Sequence, residues 1–313
     1  MTTGRSGLPR SDYFKLVEAG DGIWAAIASE FLNAVGNMTI VDMGGRALIV
    51  DSSASARVAA ELRDAARRLT GCEAAWLVNT HFHDDHTGGN EVFAATATIA
   101  ATERTRELVE AGALETPDRI AEQKAQLEAL PGGDDPELVT RRKDAEAYLD
   151  WLLRLRVVAP SATITDRLTL YGERRRAELV AIGTAHTSGD LIVHLPDDRI
   201  VATGDAVLVK SHAYAGDGNV LSWLEALPRI RALEPHVVIP GHGVVGHASD
   251  IDEMAAYLGE LIALGRGALF DGSGPAASIV VPEIPERFRG WGWAEGWPGA
   301  VEAAVAQVAA AQS

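Results

Sequence analysis

Short apolar runs separated by polar breaks define the first hundred residues. The runs G-I-W-A-A-I-A and N-M-T-I-V-D-M are followed by a Gly-Gly turn and the apolar run A-L-I-V, a pattern that predicts strands. A serine at position 52 or 53 then predicts the N-cap of a helix over about 54–69, which Gly71 ends. Two further apolar runs, A-A-W-L-V-N and T-A-T-I-A-A, predict two more strands.

The pattern changes to helical spacing over about 102–158, where Glu, Arg, Ala and Leu dominate. We predict a helical insertion of two or three helices there, with Asp134-Asp135-Pro136 opening a long one. Strands return at 162–170, 177–182, 191–195, 199–203 and 236–240, with a helix at 221–232 and closing helices near 249–267 and 298–312. Such alternation favours a layered α/β fold over an all-β barrel. We expect one domain spanning 1–313.

Charge narrows the classes of partner. The chain has 28 Lys and Arg against 44 Asp and Glu, a net charge of −16, which repels nucleic acid and anionic membrane surfaces. The triplet Arg174-Arg175-Arg176 reads as a solvated turn between strands. The single cysteine excludes an intramolecular disulfide, the N-terminus has no apolar leader, and no apolar run approaches the roughly 18 residues of a membrane span. We therefore expect a cytoplasmic protein that acts on a small molecule.

Candidate chemistry concentrates in N-T-H-F-H-D-D-H-T-G-G, residues 79–89, which follows a predicted strand. His81 and His83 alternate in an extended segment and can face one ion, while Asp85 and His86 can face a second. Imidazole and carboxylate are ligand types that zinc accepts. The two glycines that follow allow the loop to fold tightly without Cβ clashes.

Three more candidate ligands directly follow predicted strands: His186 in A-H-T-S-G-D, Asp205 in A-T-G-D and His242 in P-G-H-G. Sites in layered α/β proteins gather at the C-terminal ends of strands, where loops converge. The sequence therefore predicts one metal site assembled from four strand ends.

These motifs, in this order over about residues 20–250, resemble the metallo-β-lactamase superfamily. The resemblance implies an αββα four-layer sandwich with a dinuclear site between its sheets. It implies one metal held by His81, His83 and His186, and a second held by Asp85, His86 and His242. Asp205 would bridge the two, which is the pattern of glyoxalase II-like thioesterases and lactonases rather than of lactamases proper.

The resemblance also implies two Zn²⁺ per chain, although manganese and iron accept the same ligands. Asp51, at the end of L-I-V-D, matches an acidic residue of this family; a bracing role and a direct catalytic role both stay open. Asp190 is expected to brace the loop of His186 by accepting backbone N–H bonds.

The implied reaction is hydrolysis of a carbonyl compound, whether thioester, lactone or amide, by a hydroxide that two metals share. Asp85 is the residue expected to orient this hydroxide and pass its proton to the leaving group. Tyr214 is a second catalytic candidate, as a hydrogen-bond donor to an oxyanion, or else a packed loop tyrosine.

Several alternatives remain at this point. They are a β-lactam hydrolase, a phosphodiesterase, a mononuclear iron persulfide dioxygenase and a catalytically inactive binding protein. The helical insertion is either a lid or an oligomer face, which leaves a homodimer open. The C-terminal segment of about 285–313, with Trp291, Trp293 and Trp297, either walls an apolar acyl pocket or packs against the sandwich.

Overall fold

The computed structural model describes residues 7–29, 35–133, 135–270 and 280–311. Within these residues the strands are β1 (Phe14–Gly20), β2 (Ile23–Ala28), β3 (Met38–Asp42), β4 (Ala47–Val50), β5 (Ala74–Val78), β6 (Thr98–Thr102), β7 (Ala162–Ile164), β8 (Arg167–Tyr171), β9 (Arg176–Gly183), β10 (Asp190–Leu195), β11 (Ile200–Gly204) and β12 (Val237–Pro240). The α-helices are α1 (Ala56–Thr70), α2 (Asp84–Thr87), α3 (Glu103–Ala129), α4 (Pro136–Arg154), α5 (Val220–Arg231), α6 (Ala248–Phe270) and α7 (Trp297–Ala310).

The strands form two sheets. The first contains β1 to β7 in chain order, antiparallel up to β4 and parallel from β4 to β7. The second has the order β12-β11-β10-β9-β8, in which only β11 and β12 are parallel. The chain crosses between the sheets after β7, so the single strand predicted over 162–170 is wrong: it forms two strands, one in each sheet.

Apolar side chains form three buried clusters between the layers of the fold. Residues such as Leu48, Val78 and Leu191 form the core between the two sheets. A second cluster lies between α1 and the outer face of the first sheet. A third, centred on Trp223, packs α5, α6 and α7 on the second sheet. The predicted αββα architecture is confirmed, because each sheet buries one face on the other sheet and one on helices.

The predicted cap of α1 is wrong by a few residues. Ser55, rather than Ser52 or Ser53, accepts the capping hydrogen bond from the backbone N–H of Val58. Asp51 and Ser53 both have positive φ, 59° and 65°, so the chain turns sharply after β4 before the helix begins. That turn brings the Asp51 carboxylate into hydrogen-bond contact with Thr80 and His86, within residues 79–89.

Two helices, α3 and α4, form the predicted insertion. The indole N–H of Trp151 in α4 donates to the carbonyl of Ala54, 2.8 Å away, and fastens the insertion to the start of α1. Arg119 of α3 lies 2.8 Å from the Asp84 carboxylate and also donates to the hydroxyl of Tyr148. The insertion thus contacts the predicted metal-binding segment, residues 79–89, through a charged pair.

The C-terminal segment packs on the second sheet's helical layer. Trp297 is buried, and its indole N–H donates to the carbonyl of Pro282. Trp291 stacks on Tyr257 of α6 at 5.5 Å between ring centroids, whereas Trp293 is exposed. Trp291 and Trp297 therefore serve packing in this fold.

The basic triplet is less solvated than predicted. Arg175 is buried and lies 2.7 Å from Asp198, while Arg174 pairs with Asp21 and Asp42. Among the described residues, no helix is both long and apolar enough to cross a membrane.

Candidate metal centre

The structure brings all seven predicted ligands to one place, at the edge where the C-terminal ends of several strands meet. Two groups have donor atoms within 4.8 Å of one another, namely His81, His83, His186 and Asp205 in the first, and Asp85, His86 and His242 in the second. The segment after β5 supplies four of these side chains, and the ends of β9, β11 and β12 supply one each.

In the first group, one imidazole nitrogen from each of three histidines points to the same place. Nδ1 of His83 lies 3.1 Å from Nε2 of His81 and 3.1 Å from Nε2 of His186. The Asp205 carboxylate completes the group, with Oδ2 3.3 Å from Nε2 of His186 and 3.9 Å from Nε2 of His81. His81 and His186 are buried, and the half-buried His83 ring faces the cleft.

The second group lies on the other side of Asp205. Oδ2 of Asp85 is 3.2 Å from Nε2 of His242 and 3.4 Å from Nε2 of His86. Oδ1 of Asp205 is 3.2 Å from Nε2 of His86, and its Oδ2 is 3.3 Å from Nε2 of His242, so this carboxylate contacts both groups. A Cβ atom at Gly241 would collide with Oδ1 of Asp205, and only glycine allows this approach.

The donor set fits divalent metal ions. Ligand atoms around a tetrahedral ion with bonds of about 2.0–2.1 Å lie about 3.3 Å apart, close to the separations in both groups. Nε2 of His86 and Oδ1 of Asp205 are fully buried, and although they lie 3.2 Å apart, neither makes a hydrogen bond. Buried polar atoms without partners are rare, and here both point toward the space that an ion would occupy.

Asp51 orients two of the histidines. Its Oδ2 accepts a 2.9 Å hydrogen bond from Nδ1 of His86, which leaves Nε2 of that ring free to face the site. The same carboxylate accepts from the hydroxyl and the backbone N–H of Thr80, and that hydroxyl lies 3.0 Å from Nδ1 of His81. A carboxylate on the far nitrogen of a ligand histidine fixes its tautomer and ring orientation. Asp51 stands in this position and outside the two donor groups.

Other side chains hold the remaining ligands. Asp190 accepts from the backbone N–H and the hydroxyl of Thr187, at 2.8 and 2.5 Å, and so braces the loop that carries His186. Asp217 lies 2.9 Å from Nε2 of His83. Asp217 was not among the predicted site residues, and the only signal for it is its place in the loop after Asp205.

The turn after the histidines depends on small residues. A Cβ atom at Gly88 would collide with the carbonyl of Ala54, and one at Gly89 with the carbonyl of Ser52. Both glycines have negative φ, so space rather than backbone conformation requires them here. The close approach joins this turn to the loop that contains Asp51.

Burial and the neighbouring charges shift the pKa values of several side chains in both groups. Burial lowers the pKa of His186 to about 3, although Asp205 opposes this effect. Burial also disfavours the charged form of His242, but Asp205 and Asp85 outweigh it and raise its pKa to about 10. The pKa of Asp85 stays well below its usual range despite burial, because His86 and His242 are close. The carboxylates of Asp85 and Asp205 therefore favour positive charge in the centre.

Tyr214 lies at the mouth of the centre. Its ring is 5.7 Å from the ring of His83 and 6.4 Å from that of His186, between centroids, and its side chain is 45% exposed. Burial and the nearby Asp217 raise the pKa of its hydroxyl, so the group remains a hydrogen-bond donor. Its role in catalysis stays a prediction.

Comparison with known proteins now places the chain in a family. Residues 33–242 match the model of the metallo-β-lactamase superfamily, and the chain belongs to that superfamily. Two curated relatives carry the name acyl-coenzyme A thioesterase MBLAC2. The one from Bos taurus is 29% identical over 172 residues, covering 52% of this chain and 50% of the relative. The one from Homo sapiens is 28% identical over 169 residues, covering 51% and 47%. The chain thus spans about half the length of the curated relatives that it matches.

Solved structures agree on the fold. A metallo-β-lactamase from Pontibacter korlensis has a TM-score of 0.59 at 19% identity, covering 78% of this chain and 98% of that chain. The DIM-1 metallo-β-lactamase has a TM-score of 0.58 at 20% identity, covering 80% and 99%. At this identity the likeness concerns the fold alone. The family match and the names of the curated relatives support a hydrolase.

Proposed function

We propose that this protein is a metal-dependent thioester hydrolase that acts on acyl-coenzyme A or a related acyl thioester. The observation that carries the proposal is the seven-membered His and Asp centre with Asp205 between its two groups. The curated relatives, which are named as acyl-coenzyme A thioesterases, favour thioesters over lactones and amides.

We further propose that the centre holds two divalent ions, preferably zinc. Asp85, His86 and His242 form a group of their own in addition to the one around His83, which a mononuclear dioxygenase would not need. Two ions bound there would supply Lewis acidity to the substrate carbonyl and lower the pKa of an attacking water molecule.

The residues of the chain would then position substrate and move protons. The Asp85 side chain is 25% exposed and faces the cleft, so its carboxylate can take a proton from the attacking water and return it to the departing thiolate. Tyr214, whose ring lies 5.7 Å from that of His83, would donate its hydroxyl proton in a hydrogen bond to the carbonyl oxygen as that oxygen gains negative charge.

Phosphodiester cleavage is less well supported. Arg174, Arg175 and Arg176 each pair with carboxylates of their own chain, which weakens this basic turn as a binding surface for a polyanion. The net charge of −16 acts in the same direction.

A substrate panel on the metal-loaded protein tests the proposal. Metal content is measured first, and then hydrolysis of acetyl-coenzyme A, octanoyl-coenzyme A, a lactone, a β-lactam and bis-nitrophenyl phosphate. We expect about two ions per chain and the highest kcat/KM on a thioester. Asp205→Asn should lower both metal content and turnover, while Asp42→Asn, far from the centre, should leave both unchanged. About one iron per chain with oxygen uptake would overturn the proposal.

A further inference from the structure

A cavity beside the centre lies between the insertion and the predicted metal-binding segment. It has a volume of about 270 Å³. The ring of His83 forms part of its wall, and α3 covers it from the other side. The cavity therefore begins next to a candidate ligand and extends under the insertion.

Apolar surface makes up slightly more than half of the wall of this cavity. The apolar residues and the glycine that line it are Phe82, Leu108, Val109, Ala111, Gly112 and Val157. Three charged residues also line it: Asp84 and Arg119 neutralise each other at 2.8 Å, and Glu115 is exposed to solvent. An uncharged, apolar group fits such a wall better than an ionic one.

The size of the cavity suits part of a substrate. Its 270 Å³ is about nine times the roughly 30 Å³ that one water molecule occupies in the liquid. Pockets that enclose whole drug-sized ligands measure about 300–1,000 Å³. A medium-length hydrocarbon chain can enter, while a bulky thiol would stay outside.

Gly112 lies on the face of α3 that lines the cavity. It lies within α3, where glycine costs about 1 kcal/mol relative to alanine. A Cβ atom built on Gly112 meets no atom within 4 Å, so a larger side chain would extend into open space without collision. The helix therefore keeps an unfavourable residue at the point where a side chain would narrow the cavity.

We propose that this cavity binds the acyl chain of the thioester substrate and that Gly112 determines the chain length accepted. The proposal rests on the thioesterase function proposed above. It also assigns the acyl site to the insertion rather than to the C-terminal tryptophans, since Trp291 and Trp297 pack against α6 and Pro282.

The test is a graded series, Gly112→Ala and Gly112→Leu, with Gly259→Leu as the matched control. Gly259 also lies within a long helix, α6, and a Cβ atom there also meets open space, but it does not line the cavity. All variants are metal-loaded and assayed with acetyl- and octanoyl-coenzyme A. Binding of octanoate, the product, is measured separately by calorimetry.

We expect Gly112→Leu to lower the ratio of octanoyl to acetyl kcat/KM by at least about tenfold, with little change for acetyl. Tenfold corresponds to about 1.4 kcal/mol, less than the burial of two methylene groups at about 0.8 kcal/mol each. Gly112→Ala should lower the ratio by about two- to fivefold, and it carries the test if the leucine variant fails to fold. Gly259→Leu should leave the ratio unchanged.

An unchanged ratio in a folded Gly112→Leu protein would overturn the acyl site. If the native protein hydrolyses neither thioester, the proposed function fails. Octanoate binding then tests independently whether the cavity binds an apolar chain. Octanoate binding that the native protein shows and Gly112→Leu loses supports an apolar-chain site. Equal binding by both proteins, or binding by neither, excludes it.

Discussion

Replacing Asp51 by asparagine tests whether contacts behind the ligands set metal affinity. Asp51 is 2% exposed and accepts three hydrogen bonds, from the backbone N–H and hydroxyl of Thr80 and from Nδ1 of His86, at 2.8 to 2.9 Å. Asparagine has nearly the same shape, but one of its two terminal atoms is a donor. The substitution therefore changes the hydrogen-bond pattern with little change in volume.

Either orientation of the new amide is unfavourable. With the amide oxygen toward the backbone of Thr80, the NH₂ group faces Nδ1 of His86, and that ring must move its proton to Nε2. Nε2 is the atom that faces Asp205 at 3.2 Å and would hold the metal. With the amide reversed, two N–H donors meet in a buried place, at a cost of about 1–3 kcal/mol.

We therefore expect Asp51→Asn to weaken zinc binding about 10- to 100-fold, which is about 1.4–2.7 kcal/mol. Competition with a chromophoric chelator at fixed pH measures the affinity. A urea unfolding curve shows whether the metal-free variant keeps its fold. Asp42→Asn is the control, because Asp42 accepts from Gly44 and pairs with Arg174 away from the centre. An Asp51→Asn affinity within twofold of the native value would refute the reasoning.

Three further substitutions separate the remaining roles. Asp85→Asn should lower kcat about 10²- to 10⁴-fold by loss of proton transfer, and near-native turnover with full metal content would disprove that role. Asp217→Ala removes the partner of His83 at a site that is 40% exposed, so the chelator assay should show a smaller loss than for Asp51→Asn; a larger one would contradict this order. Trp151→Phe removes the bond to Ala54 and should lower the free energy of unfolding by about 1 kcal/mol and speed hydrogen exchange in α4, whereas unchanged exchange there would show that this bond does not hold the insertion.

The donor groups were predictable because each ligand carries a local signal. His186, Asp205 and His242 each follow an apolar run closely, and strand ends converge in a layered α/β fold. The contact of Asp217 with His83 lacks such a signal. Asp217 reaches His83 across 134 positions of the sequence, and only its place in the loop after Asp205 marks it.

The predicted boundaries of strands and helices were wrong where tertiary contacts outweigh the local sequence pattern. Residues 162–170 alternate like one strand, yet β7 and β8 belong to different sheets. Ser52 is a good capping residue, but its hydroxyl lies 2.9 Å from Oδ1 of Asn90 in the buried turn after the histidines. The residues after β4 form the turn that brings the Asp51 carboxylate within hydrogen-bond distance of His86. Helix α1 therefore begins only after this turn.

The two parts of the site depend on different parts of the chain. The ligands and Asp51 stand at strand ends fixed by the core between the sheets, so their geometry follows from the sandwich itself. The cavity wall comes largely from α3, which contacts the centre through the Asp84–Arg119 pair. If the cavity is the acyl site proposed above, a substitution in the insertion will alter which acyl group is accepted without moving a ligand. Replacing Asp51 should have the opposite effect. It should weaken metal binding and so lower the hydrolysis of every substrate alike.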